Sequence, residues 1–334
     1  MRRAKISILI PAKDEANFIG ECMDSIRNQS FDEWEAIIVN DNSVDDTNTI
    51  VNSYSEKDKR FKLFNNRGKG IIEALRTAFS NASGEYITRM DADDIMYAYK
   101  LETFFQNLSQ AGKGNIAVGG VNYFSGEKVK SGFQNYEKWL NERTADGTNF
   151  KDIFRECPIP SPNWMMHRDD LELINAFEED RYPEDYDLAF RMFLAGFKVI
   201  PCKEKTHHWR DYPSRTSRTV DCYRDHTFTE IKWHYFDSFF RDKSKELVIF
   251  GTGARGKKLA THLLSQGKVF KWVSHNPEKI GKHIYDVMIE DLETFQWENK
   301  QIVATIAKDI GRNEINKLAV KNNFEIGKDL IHFA

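Results

Sequence analysis

Cysteine is scarce in this chain of 334 residues: Cys22, Cys157, Cys202 and Cys222 stand alone, with no C-x-x-C pair. That scatter argues against a disulfide framework and against a structural zinc site, so four reduced thiols are expected. Long apolar runs are lacking too. No window reaches the roughly 18 residues of a transmembrane helix, and the run Ile6, Ile8, Leu9, Ile10 stops at Pro11, too short for a signal peptide. A soluble, cytoplasmic protein is expected. Nor is there an excess of one charge. Forty-eight basic residues against 51 acidic ones leave a net charge of -3, so no global field favours nucleic acid or an anionic membrane. Any charge that matters is local. Internal repeats and low-complexity segments are absent. What is present is 40% hydrophobic content over a length that suits about two domains of roughly 150 residues.

The first hundred residues alternate β-branched runs with helical patterns. Strands are expected at Lys5 to Ile10, Ala36 to Asn40, Phe61 to Phe64 and Tyr86 to Met90, and helices at Ala16 to Asn28, Asp46 to Tyr54 and Gly70 to Ser80. This βαβ rhythm implies a parallel sheet covered by helices. From Ile116 to His167 the pattern loosens into strands, among them Ile116 to Val118 and Trp164 to His167. A helix from Glu184 to Leu194 follows Pro183 and is stopped by Gly196. A polar, basic loop from His207 to Arg218 comes next. Asp221 to Arg241 then reads as a connecting helix with Phe228, Ile231, Tyr235, Phe236 and Phe239 on one face. A fresh βαβ unit begins at Lys245, with strands at Glu246 to Phe250, Val269 to Val273 and Gln301 to Thr305. Its helices are expected at Gly256 to Leu264 and Gly311 to Val320. The expected domains are residues 1–220, a helical linker over 221–244, and a small α/β domain over 245–334.

In an open parallel sheet, ligands bind outside the carboxyl ends of the strands. Three such ends here carry polar residues: Pro11-Ala12-Lys13-Asp14-Glu15, Asn40-Asp41-Asn42-Ser43 and Asp91-Ala92-Asp93-Asp94. Taken alone, the last set would serve as turn acids or helix caps. Carboxylates two apart on an extended segment point the same way, however, and suit a hard divalent cation that could also hold a diphosphate.

Together these segments resemble the inverting family 2 glycosyltransferases with their GT-A fold, over about residues 5 to 220. The resemblance implies a mixed, mainly parallel α/β sheet and a nucleoside-diphosphate sugar donor, with a UDP-sugar expected. It also implies Mn²⁺ or Mg²⁺ as cofactor. Pro11 and Ala12 would line the nucleoside pocket, with Glu15 beside the donor, and Asp41 would hydrogen-bond the base. Asp93 would coordinate the metal, with Asp91 close to ribose, sugar or metal. Glu184-Asp185-Tyr186-Asp187 resembles the family's second acidic motif, in which Asp185 would be the general base and Glu184 its support. At a helix start the macrodipole favours the carboxylate and weakens that base, so burial or Glu184 has to push the other way. Arg210, Arg215 and Arg218 lie within nine positions, and the first two would bind the diphosphate. His207 or His208 would add a metal ligand, as a late histidine does in some GT-A enzymes. Asn40 stands where many members carry a second acid, and Ala98 where proline is common.

Gly251-Thr252-Gly253-Ala254-Arg255-Gly256 fits G-x-G-x-x-G between a strand and a helix. The ribose-binding acid due about 20 residues on is replaced by Val273-Ser274-His275-Asn276, which tells against ordinary NAD binding. This domain resembles small Rossmann-like modules of polysaccharide-assembly proteins. Packing, a second nucleotide site at Gly251, Gly253 and Gly256, acceptor positioning and oligomer contact all stay open.

The leading expectation is a metal-dependent inverting transferase acting on a glycan or glycolipid acceptor, with peripheral contact at the inner membrane face if the acceptor is lipid-linked. A nicotinamide-dependent oxidoreductase and a non-catalytic sugar-nucleotide binding protein are the alternatives.

Overall fold

The computed structural model describes residues 4–126, 129–220 and 225–334. Its contacts separate two units: Met1–Lys151 with Pro158–Thr219, and Asp152–Cys157 with Val220–Ala334.

In the first unit the strands are β1 (Ile6–Ala12), β2 (Trp34–Asn40), β3 (Phe61–Asn65), β4 (Tyr86–Arg89), β5 (Ile95–Met96), β6 (Asn115–Phe124), β7 (Trp164–His167) and β8 (Lys198–Arg210). They form one sheet in the order β3-β2-β1-β4-β7-β6-β8-β5. The first four named are mutually parallel, β7 runs antiparallel to both its neighbours, and β6 and β8 are parallel. Buried runs such as Ile6, Ile8 and Ile10 on β1, with Ala36 and Ile38 on β2, pack against Met23, Ile26, Trp34 and Phe104. Apolar side chains on both faces are what a sheet sandwiched by helices requires. Those helices include α1 (Ile19–Arg27), α2 (Thr47–Lys57), α3 (Ile71–Asn81), α4 (Lys100–Ala111), α5 (Ser131–Ala145), α6 (Arg168–Leu173), α7 (Glu184–Leu194) and the single turn α8 (Thr216–Thr219).

The expected helix at Glu184 to Leu194 and strand at Trp164 to His167 fall on α7 and β7. Several features of this unit differ from the sequence expectation. Helix α5 was not expected, because it buries only Leu140 and Thr144 and so carries little apolar period. Helix α4 was not expected either, although it buries Leu101, Phe104 and Leu108. The supposed basic loop is also strand through Arg210: Thr206, His207 and Trp209 are buried in β8, which makes the segment sheet core rather than solvated coil. The register of β6 on β8 shifts on both sides of Gly120. A side chain on Gly119 would lie 2.0 Å from Thr206 Oγ1, so only glycine admits the threonine there.

The second unit contains α9 (Asp225–Tyr235), β9 (Glu246–Phe250), α10 (Ala254–Ser265), β10 (Lys271–Ser274), β11 (His283–Ile284), β12 (Val287–Asp291), β13 (Lys300–Ala304), α11 (Asp309–Lys321) and β14 (Leu330–His332). Its sheet order is β11-β12-β10-β9-β13-β14, parallel except for β11. The chain leaves β9 toward β10 and later returns to β13 on the other side, which makes the carboxyl end of β9 a topological switch point. Residues 221–224, where the connecting helix was expected to start and where Cys222 lies, are outside the described residues. The described continuation widens into a π-turn over Phe236–Phe240. That added width breaks the helical period, so Phe239 is 59% exposed while Trp233 is buried beside Ile231, Tyr235 and Phe236.

Cys22, Cys157 and Cys202 are buried free thiols. Among the described residues no helix is long and apolar enough to cross a membrane.

Candidate active site

The carboxyl ends of β1, β2 and β4 converge because the strands pair in register, Ala12 opposite Asn40 and Leu9 opposite Arg89. The Asp41 N–H donates to Ala12 O at 2.8 Å and ties the first two ends together. Asp14 and Asn42 both take a positive φ, 54° and 57°, an uncommon conformation for side chains other than glycine. Their loops are cross-linked: Val44 N–H donates to Asp14 Oδ1 at 2.8 Å, and Asp14 N–H donates to Ser43 Oγ at 3.0 Å. Pro11 is half-buried and Ala12 buried at this edge. The buried Asp41 carboxylate accepts from Asn66 Nδ2 at 2.7 Å and from Gly70 N–H at 3.0 Å, holding the turn that opens α3.

After β4 the chain turns, with Asp94 N–H donating to Asp91 O at 3.2 Å. The extended geometry expected for Asp91 and Asp93 is therefore absent, and the acids face different partners. Asp91 accepts from Arg89, with Arg89 Nη2 at 2.9 Å, and from Ser161 Oγ at 3.3 Å. Burial would raise its proton affinity, but Arg89 and Arg215 outweigh burial and hold it below the usual carboxylate range. Asp93 lies 3.7 Å from Arg215 Nε. Burial, then Asp94, push the Asp93 carboxyl up to about 7. Glu15, which accepts from the Tyr212 hydroxyl at 3.4 Å, is pushed up to about 8 by burial and then by Asp93. Glu15, Asp93 and Asp94 thus form a group of acids that the surrounding cations do not fully neutralise.

Asp185 and Glu184 open α7. Asp185 keeps part of its surface accessible and accepts from the Tyr186 N–H at 2.8 Å. Burial, then the adjacent Glu184, raise its proton affinity, opposing the helix dipole. Glu184 is buried and accepts from Arg89 Nη1 at 2.9 Å. Arg89 therefore joins the strand-four acids to the acids of α7 through one buried guanidinium. Sequence reasoning missed this residue. Its position two before Asp91, hence on the same side of an extended strand, was an available signal.

The expected basic segment divides its labour. Arg210 Nε donates to Asp93 O at 2.7 Å, its Nη2 pairs with Glu21, and its guanidinium lies over the rings of Phe18 and Phe124. Arg215 is buried over the Trp209 ring as the counter-ion of Asp93 and Asp94. Arg218 pairs with Asp211 at 2.6 Å. Strand alternation separates the two histidines: His207 Nε2 sits 2.9 Å from Asp94 Oδ2, whereas His208 stacks on Tyr97 with ring centroids 4.1 Å apart. His208 is thus not brought to the acids. Tyr212, also missed, reaches Glu15 from a loop whose fold no local pattern announced.

In the second unit the glycine turn follows β9. Gly251 takes φ 109°, and a side chain there would meet Thr305 Oγ1 and Ile306 Cγ1 at 2.9 Å. One on Gly256 would lie 2.0 Å from Gly251 O, while one on Gly253 would meet nothing within 4 Å. Gly251 O accepts from Trp272 Nε1 at 2.8 Å and Thr305 Oγ1 at 3.3 Å. At the end of β10 Ser274 Oγ is 3.1 Å from Thr252 Oγ1, in the place of the missing acid.

The sequence profile described as "Glycosyl transferase family 2" matches residues 7–174. "Probable glycosyltransferase YdaM" of Bacillus subtilis is 28% identical over 260 residues, covering 73% of this chain and 60% of that protein. "Glycosyltransferase GlyG" of Streptococcus pneumoniae is 30% identical over 228 residues, covering 64% of this chain and 73% of that protein. The chain spans only a quarter to a third of the length of several further relatives. Among solved structures, Staphylococcus aureus TarS in complex with UDP-GlcNAc superposes with a TM-score of 0.57 at 16% identity, covering 78% of this chain and 71% of that one. The mannosyltransferase PcManGT from Pyrobaculum calidifontis, in complex with GDP-Man and Mn2+, gives 0.53 at 19% identity, over 79% of this chain and 70% of that one. Likeness at such identity shows the fold alone. The chain belongs to glycosyltransferase family 2, and its first unit has the GT-A fold.

Proposed function

We propose, from that membership, that residues 1–220 transfer a sugar with inversion from a nucleoside-diphosphate sugar, a UDP-sugar first among donors, to a glycan or lipid-linked acceptor. The observation that carries the reading is the junction at Arg89, where a turn rich in under-neutralised acids meets a helix start bearing Asp185 with raised proton affinity. Such acids cost stability unless a ligand relieves them, and they cluster at functional sites for that reason. That TarS is described with UDP-GlcNAc and PcManGT with GDP-Man supports a donor of this class.

The chemistry divides between the two halves of the junction. Asp185 takes the proton of the acceptor hydroxyl as its oxygen attacks the anomeric carbon. The carbon–oxygen bond to the diphosphate breaks, and its electron pair leaves with the nucleoside diphosphate. One displacement inverts the centre. A base is most effective with its pKa near the working pH, and burial beside Glu184 moves Asp185 in that direction. Glu184, fixed by Arg89, orients the start of α7. Pro11, Ala12 and Asp41 line the nucleoside side, with Asp41 also holding the Gly70 turn, and Arg215 faces the diphosphate.

A divalent cation, Mn²⁺ or Mg²⁺, fits the donor set. Among the described residues no three-ligand cage of His, Cys, Asp or Glu exists, but Asp93 and Glu15 are neighbouring carboxyls whose raised proton affinity a cation would relieve by taking the place of their protons. Asp93 would hold the cation together with oxygens of the diphosphate. When bound, it would neutralise charge growing on the leaving group. The protein needs no nucleic acid, and peripheral contact with the inner membrane face would follow from a lipid-linked acceptor.

Thermal unfolding with UDP, GDP, CDP, dTDP or NAD, each with and without Mn²⁺, tests the reading, because a ligand that binds the native state raises the midpoint. A Mn²⁺-dependent rise with one nucleoside diphosphate, erased by Asp93→Ala, is the expected result. A rise with NAD alone, independent of metal and lost on altering Gly253, would move the function to the second unit.

A further inference from the structure

Beneath the Asp91–Asp94 turn lie three ionisable side chains that the transfer chemistry does not use. Lys100, His207 and Asp94 are all fully buried. Lys100 Nζ donates to Pro162 O at 2.7 Å and lies 3.3 Å from His207 Nδ1. A lysine ammonium has no lone pair and can only donate, so with Lys100 protonated Nδ1 accepts and Nε2 carries the proton. Nε2 then donates to Asp94 Oδ2 at 2.9 Å, while the other Asp94 oxygen accepts the Arg210 N–H at 2.7 Å. Both oxygens of Asp94 are engaged, and Asp93 O is held by Arg210 Nε. The turn around Asp93 is therefore pinned from β8, by Arg210 directly and by His207 through Asp94, with Lys100 of α4 behind His207.

Apolar residues of similar volume would fill this space at lower cost, since burying three ionisable groups is expensive even when they are paired. The fold goes to some length to build the arrangement: glycine at 119 admits Thr206, and the adjoining register shift sets His207 opposite Val121 on one side and Met96 on the other.

We infer that Lys100, His207 and Asp94 form a buried positioning relay that fixes the Asp91–Asp94 turn so that Asp93 meets the donor diphosphate and its cation. The inference rests on the reading of Asp93 given above. His207 acts through Asp94 and does not touch the ligand, and Lys100 sets the tautomer of His207.

Calorimetric titration of the full chain with UDP, GDP, CDP and dTDP, each with and without Mn²⁺, tests it. His207→Leu and Lys100→Met are each expected to weaken Mn²⁺-dependent binding by about 10- to 100-fold, the usual loss when a group supporting a metal ligand is removed. Binding of the nucleotide without metal stays unchanged. His207→Gln, whose amide still donates to Asp94, keeps most of the affinity. Should either single variant not fold, the paired His207→Leu/Lys100→Met, which removes both partners at once, carries the same expectation. Wild-type binding in any folded relay variant but His207→Gln overturns the inference. So does loss in both His207 variants with normal binding in Lys100→Met, which would make His207 itself a ligand. Asp93→Asn separates the two levels. If Mn²⁺-dependent binding survives it, or if no nucleotide binds the wild type, the underlying reading fails. If Asp93→Asn abolishes binding and the relay variants do not, the relay alone fails.

Discussion

Both sheets of this chain end in a turn at the place where α/β proteins bind ligands, yet the two turns are made of different material. After β4 stand Asp91, Asp93 and Asp94, with Glu15 opposite and Arg89, Arg215 and Lys100 set among them. After β9 stand glycine, Thr252 and backbone carbonyls already satisfied by Trp272, Thr305 and Lys279. The first arrangement crowds acids beyond what its own cations neutralise, so that Asp93 and Glu15 hold on to protons a ligand would displace. The second is complete in itself apart from the open space at Gly253. A site that must bind charged groups has to keep some of its own charge unsatisfied, whereas a turn that packs has to close every contact. The contrast supports the proposal that the chemistry lies at the first sheet edge and that the second turn serves packing.

Four results would break or sharpen this contrast. Asp185→Asn is expected to lower transfer by roughly 10²- to 10⁴-fold, the range supplied by a general base, with donor binding retained in calorimetry. Unchanged turnover would remove the base from the mechanism. Arg89→Gln leaves Glu184 and Asp91 buried without their shared cation, at a cost of roughly 3–5 kcal/mol in denaturant unfolding. Because Arg89 also lowers the proton affinity of Asp185, any remaining activity should climb at higher pH than in the wild type. A pH profile that stays put would sever the link between the two acidic motifs.

In the second unit, Gly256→Ala drives a methyl group against Gly251 O and should cost about 1–3 kcal/mol or more, as overpacking does. Gly253→Ala, with no neighbour within 4 Å, should leave both stability and transfer unchanged. Equal damage from both substitutions would show that the open position is occupied in the working protein. The smallest effect is on pH. The Glu15 carboxyl rises from an ordinary 4.5 to about 8 in the folded chain, so the ligand-free native state holds that proton more tightly than the unfolded state. Its contribution to stability is full below about pH 4.5 and is lost as the pH rises through about 8. The melting temperature of the ligand-free chain should fall over that window, and Glu15→Gln should flatten the slope. An unaltered slope would mean that Glu15 is not strained by its neighbours.

Local pattern alone located most of the framework. The β-branched runs of β1, β2 and β9 and the Pro183 start of α7 are short-range signals that tertiary packing did not override. Helix α5 escaped because few of its side chains are buried, and the whole of β8 escaped, its outer half because His207 and Arg210 look like solvent residues until a sheet surrounds them. The acids at the strand ends were visible because a strand followed by a polar turn is itself a local motif. Their partners were not visible. Arg89 meets Glu184 across 95 residues and Lys100 meets His207 across 107, and no periodicity encodes such separations.

By itself, the sequence determined the kind of fold and the edge at which polar groups gather, because hydrophobic period and turn chemistry act over a few residues, and the resemblance of its combined motifs pointed to the family. Only the tertiary structure decided which acid is neutralised and which is left under strain. Burial and the distance to a counter-ion set the proton affinity of Asp93, Glu15 and Asp185, and both quantities exist only once distant strands have paired.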